Sequence, residues 1–344
     1  MLFNKSNTGA AELRELTSSF YKNNEYARIS TQVMLEQEAL AQLVGQEVMT
    51  RAENHYNSAG YKKTSPSAEE ALNDKLVMHL QMPIAYRATF RYYSLNLVSH
   101  EDTGRKVKMN RDNESMPWEW MLDRDDAAQV RTGNETADLL IRWLESNQIS
   151  EWLESANRTA SRQLFVNTPA LFQDSYPIDL SESFFFTALA FNKEVQTIKI
   201  KKALGSHYTP LLQRWTSSQI ESGSASGSGG GIPAEDEELE VFYDQLLLQV
   251  QKVIPLLTMV MAVKRLSIQA MPYGVVQHFK SAIQSRNASQ APLPELIKAH
   301  AESLQKDSGY LMDDIKILIQ SADPEAGIYP LLPANNVTNK YFRT

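Results

Sequence analysis

Cysteine is absent from the 344-residue chain, which excludes a disulfide framework, a thiolate nucleophile and any cysteine metal site. Also missing are the phosphate-cradling glycine loop that ends in lysine, the dinucleotide fingerprint and the serine elbow of hydrolases. The one glycine-rich run, Ser222 to Gly231, has neither that lysine nor a preceding strand, and it reads as a flexible solvated loop. An excess of positive charge is lacking too. The formal charge is -7, so nothing global draws the chain to a phosphate backbone. The first sixteen residues, MLFNKSNTGAAELREL, have no charged start followed by a continuous apolar core, so no export signal is expected. The most apolar run, Val253 to Val263, is about half the length needed to cross a bilayer and reads as a buried helix.

What is present fits an ordinary globular protein: 42% apolar and 22% charged residues. At this length two domains of roughly 150 residues are expected. Leu13, Leu16 and Phe20 have helical spacing. From Ser30 or Thr31 a helix is expected to about Tyr56, with Ile29, Val33, Leu40, Val44 and Val48 inward and Glu36, Gln37, Gln42 and Glu47 facing water. Gly45 interrupts this pattern at a cost of about 1 kcal/mol against alanine, and it marks either close packing or a break.

The organising stretch is Leu76 to Val107, LVMHLQMPIAYRATFRYYSLNLVSHEDTGRKV. A related stretch recurs at Leu248 to Gln277, with Pro83 answered by Pro255 and Gly104 by Gly274. Internal repetition of this kind decides the architecture. A helix from about Ala68 to Val98 is apolar over most of its circumference, through Leu76, Leu80, Ile84 and Ala88, then Tyr86, Phe90, Tyr93 and Leu97, with Arg87 and Arg91 on its polar side. A short strand is expected over Arg105 to Met109, then a helix from about Asp123 to Ser146 with Ala127, Val130, Leu140, Ile141 and Leu144 inward. In the second half, Leu164, Phe165 and Asn167 echo Leu2, Phe3 and Asn4. Ala188, Phe191, Val195 and Ile198 share a helical face, and Pro294 to Ser321 forms a closing helix through Leu296, Ile297, Leu311, Ile315 and Leu318.

The expected fold is therefore mainly α, a tandem duplication of a helical domain in which each copy carries a short β-hairpin or extended loop after its central helix. The first repeat covers 1–150, a connector 151–163, the second repeat 164–322 with the Gly/Ser loop 222–231, and an extended arm 323–344.

Little in the sequence carries catalytic chemistry. His55, His79, His100, His207, His278 and His300 show no helical metal-ligand spacing. Asp123, Asp125 and Asp126 resemble a magnesium cluster but sit where a helix start favours negative charge anyway. Arg105, Lys106, Lys108 and Arg111 form the strongest basic patch. Near Tyr92 and Tyr93 they fit strand binding or a salt-bridged surface hairpin. Trp118, Trp120, Trp143 and Trp152 read as core, although tryptophan is also favoured at interfaces.

A helix ending near Leu43-Val44-Gly45, a polar loop, the proline-containing helix, Asp-x-Gly-Arg at 102–105 and Pro-Trp-Glu-Trp at 117–120 together resemble a family of proteins encoded in tailed phages and prophages. The helical plan of each half is similar to that of head-to-tail connector adaptors, which carry one such unit where this chain carries two. The resemblance implies a virion structural protein made in the bacterial cytoplasm. Its partners would be portal and tail-completion proteins and copies of itself, and it would have no cofactor, no enzymatic activity and no membrane contact, with DNA only passing by. Arg105, Lys106, Lys108, Arg111, Trp118, Trp120 and Tyr329 are the candidate interaction surface in the sequence. Two other classes fit the composition: a cytoplasmic helical binding module, and an enzyme with a site between the repeats.

Overall fold

The computed structural model describes residues 1–18, 25–96, 99–101, 104–106, 118–223, 237–265, 268–271, 274–277 and 294–322. The protein is mainly helical. Two compact units divide the described residues, unit 1 within Met1–Thr159 and Ser181–Phe186, and unit 2 within Ala160–Leu180 and from Thr187 onward.

Unit 1 is built on helix α4 (Ala68–Leu95). Ser67 and Glu70 form a reciprocal capping box at its start, satisfying two of the amides that a helix N-terminus leaves open. Leu76, Val77, Leu80, Ile84, Ala85 and Ala88 are buried on several sides of it, so this helix is a core axis. That burial holds Pro83 in mid-helix, where a proline forfeits a backbone hydrogen bond. Around α4 lie α1 (Gly9–Thr17), α2 (Tyr26–Val44), α3 (Gln46–Asn57) and α5 (Glu119–Ser146). Helix α2 starts at Tyr26, ahead of the expected Ser30 or Thr31. It stops at Gly45, whose φ of 101° lies where a side chain is strained. A Cβ there would come within 3.1 Å of Ser155. Gly45 is thus both a break and a point of close approach. The short helix α6 (Ser150–Leu153) seats Trp152 fully in the unit 1 core, against Phe186.

The expected inward face of α5 is half right. Leu140, Ile141 and Leu144 are buried, but Ala127 is exposed and Val130 is 40% exposed. Helix α5 begins at Glu119, so Asp125 and Asp126 lie beyond its first turn and are not its caps. Asp125 instead accepts a hydrogen bond from Gln129.

Unit 2 is organised around α12 (Glu237–Arg265), which contains Pro255 and lies along α13 (Pro294–Ala322). Before it come α7 (Ala156–Arg162), α8 (Pro169–Gln173), α9 (Glu182–Glu194), a π-turn over Val195–Ile200, α10 (Lys201–Leu204) and α11 (Tyr208–Gly223), with α7 up to Thr159 and α9 up to Phe186 belonging to unit 1. The π-turn widens the helix by one residue per turn and rotates its inward face. Val195 and Ile200 are buried while Ile198, expected inward, is 62% exposed. Leu296 on α13 is likewise exposed. As a helix, α12 is longer than its most apolar run: Leu239–Arg265 is long and apolar enough to cross a membrane by composition, yet 61% of its apolar 18-residue stretch is buried inside the protein, as for a core helix.

Each unit holds its N-terminal segment in the same way. In unit 1 the Leu2 amide donates to Gln37 Oε1 on α2 at 3.1 Å, and Gln81 Nε2 on α4 donates to the Leu2 carbonyl at 2.6 Å. In unit 2 the Phe165 amide donates to Gln196 Oε1 at 2.8 Å, and Gln251 Nε2 on α12 donates to the Phe165 carbonyl at 3.0 Å. A buried backbone pair needs both partners, and two glutamines, each with donor and acceptor, supply them. After α4, β1 (Ser99–Glu101) pairs antiparallel with β2 (Gly104–Lys106). After α12, β3 (Ile268–Met271) pairs likewise with β4 (Gly274–Gln277).

Candidate functional site

An open cleft of about 290 Å³ in unit 1 is lined by Glu36, Arg87, Phe90, Arg91, Val130 and Asn134. Three helices supply it. Arg87 and Arg91 stand one turn apart on α4, Glu36 comes from α2, and Val130 and Asn134 come from α5. Gly133 makes room: a Cβ at that position would come within 3.0 Å of the Arg87 side chain.

The two guanidiniums differ. Arg91 is paired with Glu36 at 2.5 Å, and that carboxylate is nearly buried. Glu36, expected to face water, therefore faces α4, and the ion pair with Arg91 is what offsets its desolvation. Arg87 donates to a neutral acceptor, Asn134 Oδ1, at 3.0 Å. Burial pushes its pKa below the ordinary arginine value, and Glu36 and Asp138 pull it back. The cleft thus combines a positive charge hydrogen-bonded to a neutral amide, a neutralised ion pair and an apolar wall of Phe90 and Val130. Arginine in that setting is suited to planar anionic groups.

A second charged cluster in unit 1 surrounds Glu182 at the start of α9. Asp138 accepts from the Ser183 amide at 2.7 Å and from Ser181 Oγ, placing a carboxylate where the helix dipole favours it. Glu145 accepts from Trp152 Nε1 at 2.9 Å and is ion-paired to Arg158. Burial first, then the charges of Glu145 and Asp138, push the Glu182 carboxyl up to about 7, while Arg142 and Arg158 oppose this. The folded protein therefore holds a proton that the unfolded chain releases near 4.5. This group costs no stability below about pH 4.5, and stability falls as pH rises from there to about 7. Glu182→Gln removes that slope. It is expected to leave stability unchanged at pH 4 and raise it by about 1–2 kcal/mol at pH 8, discounted for partial solvent screening, read by urea unfolding at both pH values. An equal gain at both would reject ionisation as the cause.

The residues singled out from sequence are not gathered into one site. Trp118 is the N-cap residue of α5 and 71% exposed, so it is not core. Arg105 and Lys106 fall on the β2 backbone, whereas Lys108, Arg111, Tyr329 and the side chains of Arg105, Lys106 and Trp120 lie outside the described residues. Among the histidines, His55 Nε2 is 2.8 Å from Asp74. Burial, with Lys75 nearby, lowers the pKa of His79, which lies beside Trp143. No group of three or more metal-binding side chains occurs among the described residues. The cleft was missed because an i, i+4 arginine pair reads as a solvated helix face. Only its position on an otherwise apolar helix marked it. Compared with family models, curated proteins and solved structures, the chain has no match.

Proposed function

We propose that this chain is a structural virion protein of a tailed phage, a head-to-tail connector that assembles with portal or tail proteins and with copies of itself through helix surfaces. The observation that carries the assembly reading is a set of exposed apolar side chains on the solvent side of α13, spaced among Ser303, Asp307 and Asp314. Ala301, Leu304, Ser308, Ile315 and Ile319 are buried on one side, while Leu296, Tyr310 and Ile317 are 59%, 60% and 53% exposed and fall together on the opposite side, at multiples of seven residues. Helix α13 therefore has apolar surface to offer after its own unit has folded. Trp118 and Met121, exposed at the start of α5, add a second such patch in unit 1. Large exposed aromatics of this kind are the usual anchors of protein contacts. The phage assignment rests on the sequence resemblance, and the acidic balance suits a passage that must not grip DNA.

Tandem duplication belongs to the same proposal. The Gln37–Leu2–Gln81 clamp and the Gln196–Phe165–Gln251 clamp support it, and so do helix ends and hairpin glycines at matching distances from Gln81 and Gln251, namely Leu95 with Arg265 and Gly104 with Gly274. Aligned this way, Pro83 and Pro255 do not correspond, since they follow their glutamines by two and by four residues.

Mass photometry of the purified chain, alone and with the portal and tail proteins encoded beside it, tests the assembly. A closed oligomer is expected, and Tyr310→Lys with Ile317→Glu should reduce it at least tenfold at equal concentration while leaving helicity unchanged. A chain that stays monomeric with every neighbouring virion protein is the result that rejects the connector reading and favours a cytoplasmic binding module.

A further inference from the structure

We propose that the Arg87 cleft of unit 1 binds a carboxylate carried on an apolar body, supplied by a protein partner. The choice of a protein as its source rests on the assembly reading, whereas the chemistry of the cleft does not.

The argument begins with what unit 2 has at the same places. Counting from the matched glutamines, Arg87, Phe90 and Arg91 on α4 correspond to Leu257, Val260 and Met261 on α12, and Glu36, one residue before Gln37, corresponds to Val195, one before Gln196. Val195, Leu257 and Val260 are all buried. One architecture thus closes this position with aliphatic packing and the other opens it around two guanidiniums. Stability does not call for the polar version. An aliphatic set fills the position in unit 2, and a desolvated ion pair gains little over an apolar replacement. The Arg87 guanidinium feels the charges of Glu36 and Asp138 but makes its hydrogen bond elsewhere. Its hydrogen-bond partner Asn134 is neutral, whereas Glu36 is engaged by Arg91.

Charge selects the guest. The cleft carries two positive groups and one negative, so a single anionic oxygen pair balances it. A phosphate dianion would overshoot, and it would lie beside the Glu36 carboxylate of the lining. A carboxylate matches the arginine fork in a plane. Phe90 and the half-open Val130 then take the apolar part, so the recognised unit is an acidic group next to an aliphatic or aromatic side chain, at a chain end or within a peptide.

The test follows the arginine Nε–H signals of the full-length protein by NMR. Four probes are added: N-acetyl-L-leucine, whose carboxylate stands for a chain end; N-acetyl-leucyl-aspartyl amide, whose carboxylate is a side chain; N-acetyl-L-leucinamide, which has none; and inorganic phosphate. Saturable shifts of Arg87 and Arg91 with one or both carboxylate probes, and none with leucinamide or phosphate, are expected, and the stronger carboxylate probe identifies the source. Arg87→Leu installs the residue unit 2 uses, so it should fold, with circular dichroism as the check. It should weaken the carboxylate probe at least ~10-fold, read at Arg91 and the Asn134 amide, as loss of a charged hydrogen bond predicts. Val130→Glu, at an exposed rim position, should compete internally and weaken binding without touching either arginine. No shift with any probe, or equal shifts with phosphate or leucinamide, overturns the proposal. A chain that remains monomeric while its cleft binds the carboxylate sinks the assembly reading alone.

Discussion

Trp152→Ala is expected to destabilise unit 1 by about 3–5 kcal/mol, the range for deleting a fully buried large aromatic side chain. Trp152 has no exposed surface, meets the edge of Phe186 at 5.3 Å and donates its indole N–H to Glu145. The truncation therefore removes apolar burial, a ring contact and a hydrogen bond together. Glu145 keeps Arg158, so no bare charge is left behind, and packing dominates the loss. Trp152→Phe separates the parts in degree, since it keeps a ring against Phe186 but loses the N–H bond, about 1 kcal/mol, and part of the buried ring. Its cost should fall between that and the alanine variant's. Chemical denaturation followed by circular dichroism checks both. A loss under about 1 kcal/mol for the alanine variant would show that Trp152 is not part of the cooperative core.

The second large effect concerns the glutamine clamps. Gln81→Met keeps the length and shape of the side chain but leaves the Leu2 carbonyl without its donor inside the protein. The expected cost is about 1–3 kcal/mol, the penalty for a buried polar group deprived of its partner. Amide exchange at Leu2 should also quicken as the N-terminal segment loosens from α4. Gln251→Met should do the same to Phe165 in unit 2. Hydrogen exchange measured residue by residue distinguishes this from a general loss of stability, because the first protection lost would be at Leu2 or Phe165. Protection that is unchanged at both sites contradicts the clamp.

The long helices were legible in the sequence because burial on their inner faces left a 3.6-residue period: Leu76, Leu80, Ile84 and Ala88 are buried as that period requires, and so are Ile29, Val33, Leu40, Val44 and Val48. The start of α2 was misplaced because Ser30 makes a good cap but here bonds within the helix, to the Ala27 carbonyl. Ile198 was misassigned because a π-turn obeys a different period. Gln37 and Glu36 were read as solvent-facing because polarity alone does not say whether a polar side chain faces water or a buried partner, and here the partners, Leu2 and Arg91, lie far along the chain. The cleft was hidden for the same reason. Helices α2, α4 and α5 each contribute side chains to it, and spacing within one helix carries no signal of the other two.

The π-turn at Val195–Ile200 has a bearing on how unit 2 accommodates the spacing between Gln196 and Gly205. Eight positions separate Gln37 from Gly45, whereas nine separate Gln196 from Gly205. An ordinary α-helix holding the extra residue would carry everything beyond it about 100° around the axis and 1.5 Å along it, turning buried side chains out to solvent. The wide turn absorbs the addition where it arises, so the glutamine upstream and the glycine downstream each keep their duties. An odd spacing thus becomes a local distortion, and Val195 and Ile200 at its two ends both stay buried.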